Sequence, residues 1–115
     1  MSLPRFAAAN PDPGVTRRVL ADSPELMVVS FQFETGAVGK LHSHPHVQST
    51  FVASGRFQFS RDGVIYDLNP GDSLVIPGGV EHGCRCLEAG ELIDNFTPRR
   101  ADFPVTPEDT SLTTG

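Results

Sequence analysis

The chain of 115 residues has no tryptophan, a single tyrosine and only two cysteines. It also lacks long apolar runs. Runs such as residues 26–29 and 74–76 fall far short of the ~18 residues a membrane-spanning helix requires. Basic residues are scarce, with nine Lys and Arg against fourteen Asp and Glu, and the net charge is −5. An acidic chain without a positive cluster is a poor partner for nucleic acid or for an anionic membrane, since both need a cationic footprint. Cys84 and Cys86 are separated by one residue, and side chains so spaced on an extended strand are badly aimed for a bridge. No structural disulfide is expected. The first residues, Met1-Ser2-Leu3-Pro4-Arg5-Phe6, hold no basic stretch followed by an apolar segment. Together with the unbridged thiols, this predicts a cytoplasmic protein.

Helical periodicity is missing too, and what stands in its place is punctuation. Eleven glycines and ten prolines divide a series of short β-forming runs. In residues 25–34, Val29, Phe31 and Phe33 alternate with Ser30 and Gln32, the signature of a half-buried strand. Residues 48–53 form the next run and stop at Ser54-Gly55. Residues 56–60 follow, then a hairpin signal at Arg61-Asp62-Gly63, then residues 64–68. Asn69-Pro70-Gly71 and Pro77-Gly78-Gly79 are turns that bracket a buried strand at 73–76. Residues 82–87 and 91–96 are the last two runs, joined through Ala89-Gly90.

About seven to nine short strands with Gly/Pro turns indicate an all-β antiparallel barrel or sandwich. One domain is expected: an irregular N-terminal arm over residues 1–18, a barrel over 19–100, and a mobile Pro/Thr-rich tail over 101–115. So small a sheet hides its edges by closure or dimerisation, which predicts a homodimer.

Three of the four histidines are packed into His42-Ser43-His44-Pro45-His46, with Gln48 just beyond. Residues two apart on a strand share a face, so His42 and His44 are expected to aim at one point, an arrangement suited to a metal. The same residues are equally read as a solvent-facing turn. His82 follows the Pro-Gly-Gly turn and is placed to join them if the sheet closes. His46 shares their parity, but Pro45 turns it aside, which makes it a supporting residue rather than a ligand. Cys84 and Cys86 share parity with His82 and are expected to be core filler.

The spacing of Gly36, His42, His44, Gln48 and Gly55, then of Gly71, Pro77, Gly79 and His82, resembles the paired motifs of the cupin superfamily. That resemblance implies a double-stranded β-helix, a jelly-roll barrel. It also departs from the usual pattern: Gln48 stands where a glutamate is common, and Cys86 where an asparagine often occurs. A carboxamide brings no charge, so the site leaves a metal's full positive charge in place as a Lewis acid.

Residues 42–48, the Pro77–Gly78…Glu81–His82 turn and the run 94–100 (Asp-Asn-Phe-Thr-Pro-Arg-Arg) are similar to the KdgF-like, pectin-degrading branch of the cupins, in which Gln48 is the expected residue. The resemblance implies conversion of 4,5-unsaturated monouronates into linear 4-deoxy-5-keto uronates by ring opening and tautomerisation. It implies His42, His44, Gln48 and His82 as ligands of a divalent metal, with zinc, nickel, manganese and iron all accepting imidazole. Asp94 and Phe96 correspond to pocket residues of turnover, and Arg100 to a residue touching the uronate. Read as residues alone, Asp94 has the lesser alternative of a salt bridge with Arg99 or Arg100. A sugar-binding cupin without turnover and a metal-dependent dioxygenase are the other functions such a barrel hosts.

Overall fold

The computed structural model describes residues 1–108 as eight antiparallel strands without a helix. They are β1 (Ala9–Asp12), β2 (Val15–Asp22), β3 (Met27–Phe33), β4 (Val38–His42), β5 (Val47–Arg61), β6 (Val64–Leu68), β7 (Ser73–Ile76) and β8 (His82–Thr97). Neighbours run β1-β2-β3-β8-β5-β6, with β4 also on β8 and β7 also on β5. The two longest strands are therefore shared. β8 pairs with β4 through its first residues and with β3 through its last, while β5 lies along its whole length. The sheet rolls about this central pair into a jelly roll, as expected.

Two expected strand breaks turn out to be bends. Residues 48–53 and 56–60 belong to one strand, β5, and residues 82–87 and 91–96 to one strand, β8. Their ladder is interrupted by bulges between Val52 and Phe57. At the bulge, Gly55 has φ of +80°, and a Cβ there would stand 2.5 Å from the Glu88 carbonyl oxygen, so only glycine fits. The extra residue also switches which side chains point inward. Gln48, Thr50 and Val52 are buried before it, and Phe57 and Phe59 after it.

Both ends of the chain differ from expectation. Residues 1–18 hold β1 and part of β2 rather than an irregular arm, because Val15 and Val19 are inward positions that core burial makes strand-forming. The tail through residue 108 is packed, not loose. Phe103 is buried on Phe96, Phe6 bridges to Pro107, and Arg18 pairs with Glu108. The rest of the expected tail, residues 109–115, lies outside the described residues. One apolar cluster gathers Val15, Phe33, Val52, Phe57, Phe59, Leu68, Ile76, Cys86 and Leu92. A second holds Val19, Met27, Val29, Phe96 and Phe103. Among the described residues no helix is long and apolar enough to cross a membrane.

Candidate metal centre and cavity

β4 ends at His42, which lies directly opposite His82, the first residue of β8. His44 reaches the same point from the loop after β4, not from a continuing strand. That loop is held down by Gly79 N–H donating to the His44 carbonyl at 2.8 Å. The ligand atoms of His42, His44 and His82 all lie within 4.8 Å of one another. His82 and His44 are buried, and His42 stands at the rim.

Each of the three rings has its Nδ1 against a backbone carbonyl: His42 on Lys40 at 2.7 Å, His44 on His46 at 3.1 Å, His82 on Val80 at 2.9 Å. A carbonyl can only accept, so Nδ1 carries the proton, and each Nε2 is left with a lone pair. Burial makes protonation of that second nitrogen costly; it lowers the pKa of His44 and drives that of His82 down to about 4.

Gln48 completes the ring of donors. Thr50 Oγ donates to Asp94 Oδ1 at 2.7 Å and so has only lone pairs to offer Gln48, whose Nε2 donates to it at 2.9 Å. This orients Gln48 Oε1 toward His44 Nε2, 3.0 Å away. Two acceptors thus face each other, and among the described residues the buried His82 Nε2 has no hydrogen-bond partner. A cation between them satisfies all of these lone pairs at once, so the residues present fit a divalent metal held by three imidazoles and a carboxamide oxygen. His46 does not join the cluster. Its backbone carbonyl supports His44, and its ring stands 5.4 Å from that of His44.

His42, Gln48 and His82 line a cavity of about 280 Å³ together with Asp94, Phe96 and Arg100. Asp94 and Phe96 enter from β8 on one face, as their parity predicts, at 7% and 1% exposure. Among the described residues Asp94 makes no salt bridge: Arg99 pairs with Asp22, and Arg100 with Asp102. Burial pushes the Asp94 carboxyl up to about 7, against the opposing hydrogen bond from Thr50 and the charge of Arg100. The Arg100 guanidinium lies over Phe96 and Phe103, and its Nε and Nη2 both donate to Asp102. That fork holds the Asp102 carboxyl down at about 2.

Cys84 lines the cavity and Cys86 sits in the core, and burial raises both thiols, Cys84 to about 12. Sequence reasoning missed Thr50, Arg17 and Phe103 at this site. The alternation of Gln48 with Thr50 and of Val15, Arg17 and Val19 was the available signal.

The family model for the cupin domain matches residues 29–93. The pectin degradation protein KdgF of Dickeya dadantii is 39% identical over 92 residues, which cover 78% of this chain and 84% of that protein. Among solved structures, an RmlC-like cupin from Shewanella frigidimarina has a TM-score of 0.83 at 40% identity, covering 86% of this chain and 89% of that one. KdgF from a Halomonas species has a TM-score of 0.80 at 39% identity, covering 84% and 91%.

Proposed function

The chain belongs to the cupin family, in its KdgF branch, and from that premise we propose that it opens the ring of 4,5-unsaturated monouronates and tautomerises the product to a linear 4-deoxy-5-keto uronate. The observation that carries this reading is a buried carboxyl with a pKa near neutrality, linked through Thr50 and Gln48 to the three-histidine cluster inside one cavity. The protein would act in the cytoplasm, as a homodimer, on a small acidic sugar.

His42, His44, Gln48 and His82 would hold the divalent cation, which when bound supplies Lewis-acid charge against developing oxyanions. Asp94 performs the proton traffic. As the carboxylate it takes the proton of the anomeric hydroxyl; the C1 oxygen becomes the aldehyde oxygen as the bond from C1 to the ring oxygen breaks. The ring oxygen leaves with that electron pair as the C5 enolate. Asp94, now protonated, returns the proton to C4, and the C5 ketone forms. Atoms balance, and the net change is an isomerisation. Burial raises this carboxyl toward neutrality and a bound cation would bring it part of the way back, which leaves it able both to accept and to release a proton. Phe96 lies under the Arg100 guanidinium and would pack against the sugar, and Arg100 would meet the uronate through Nη1, the nitrogen that Asp102 does not take.

The test follows a freshly generated unsaturated galacturonate by the ultraviolet absorbance of its conjugated enol-carboxylate. The arms are protein loaded with zinc, nickel, manganese or iron, chelated protein, and buffer, because the compound also rearranges by itself. Loss faster than in buffer, removed by chelation and by Asp94→Asn, is the expected result. Decay at the buffer rate with every metal would overturn the substrate assignment and leave uronate recognition without turnover as the better account.

A further inference from the structure

Arg17 occupies a position that its strand otherwise gives to core. The inward residues of β2 are Val15, Arg17 and Val19; the valines are 3% and 4% exposed, and Arg17 lies half-buried between them. It pairs across the ladder with Phe31 and lines the same cavity as Asp94 and the histidines. Its guanidinium lies 4.3 Å from the centre of the Phe103 ring, and that of Arg100 lies 4.2 Å from the same centre. Both cations therefore stand over the one Phe103 ring.

Their forks differ. Arg100 is committed to Asp102 through two hydrogen bonds, whereas among the described residues the Arg17 side chain has neither a hydrogen bond nor an ion pair. Asp102 acts on Arg17 only at a distance, and burial works against the Arg17 charge. A partly desolvated cation on the inner face of a barrel, with no anion in direct contact among the described residues, is costly to keep unless a ligand supplies one. A planar fork matches a carboxylate through two parallel hydrogen bonds.

We propose that Arg17 is a carboxylate-binding residue of the cavity, held in line by Phe103, and that it sets the preference for acidic over neutral sugars. The carboxylate class follows from the open fork; the identity of the sugar as a uronate rests on the function proposed above. Calorimetric titration of the zinc-loaded protein with galacturonate and with galactose separates the two, because galacturonate has no double bond and is not turned over. Arg17→Met is expected to weaken galacturonate binding by roughly ten- to a hundredfold while leaving the weak galactose binding unchanged. Arg17→Lys, which keeps the charge and the stack but loses the fork, is expected to fall between the two.

With the unsaturated uronate, Arg17→Met should raise KM far more than it lowers kcat. Equal galacturonate affinity in Arg17→Met and the wild-type protein would overturn the proposal, as would no galacturonate binding to the wild type. An equal loss for galactose would also overturn it, by marking a packing role. If the unsaturated uronate is not turned over at all, the titration still decides the role of Arg17.

Discussion

Asp94 is where burial and chemistry meet most directly. Its carboxyl has an ordinary value of 3.8, is pushed up to about 7 in the folded chain, and accepts one hydrogen bond from Thr50. The raised value means that the folded state binds a proton more tightly than the unfolded state. Stability conferred on the metal-free protein is therefore full below about pH 4 and is lost as pH rises toward 7. Asp94→Asn removes this penalty. Urea unfolding of the chelated proteins is expected to show the variant gaining on the wild type between pH 4 and 7, by up to a few kcal/mol at pH 8, while turnover is lost. A gain independent of pH would mean that Asp94 is not a buried, titrating acid. A bound cation acts in the opposite direction, lowering the Asp94 pKa, so the pH effect should shrink on metal loading. Residue type and spacing were enough to single out His42, His44 and His82, because imidazole is rare inside an apolar strand pattern; Asp94 and Phe96 were named only by the resemblance to KdgF-like cupins, since on their own they read as an ion-pair partner and as core. Thr50 was legible only as an inward position two residues from Gln48: a threonine is an ordinary strand former, and only its partners Gln48 and Asp94 give it a task.

The pair β5–β8 does the most to position the site. Thr50 lies directly opposite Asp94, and Gln48 opposite Phe96, so register on this one ladder brings the carboxamide, hydroxyl, carboxyl and ring together. The bulge at Gly55 keeps that register while letting the same strand turn Phe57 and Phe59 into the core. Gly90 sits against it, where a Cβ would overlap the Ser54 carbonyl oxygen. Gly55→Ala adds both a left-handed non-glycine residue and a clash with backbone, with an expected loss of about 3 kcal/mol or more. Denaturant unfolding should show this loss, and metal affinity should fall with it. A change below about 0.5 kcal/mol would mean that the bulge relaxes freely. Ser54-Gly55 and Ala89-Gly90 were visible as interruptions, but glycine marks a turn and a bulge alike. Which of the two occurs depends on what lies across the sheet.

At the scale of the whole barrel, the three imidazoles come from a strand end, a loop and a distant strand, and their lone pairs face one another without a proton between them. A cation bound there stabilises the folded state alone, because the unfolded chain does not hold the ligands together. Zinc at about a hundred times its Kd is expected to add roughly 2.7 kcal/mol, read as a rise in Tm over the chelated protein. His82→Ala should remove that difference; a rise retained in the variant would place the metal elsewhere. The packed tail belongs to the same scale, since Phe103 covers Phe96 and carries both cavity arginines. Turn glycines, strand alternation and the types and spacing of the histidines were legible in one dimension, because backbone conformation and ligand chemistry are properties of short segments. The opposition of His42 to His82, the link from Gln48 to Asp94, and the meeting of Arg17 with Phe103 were not. Each joins residues far apart in the chain, and their contact exists only once strand register and the bulges that shift it have closed the barrel.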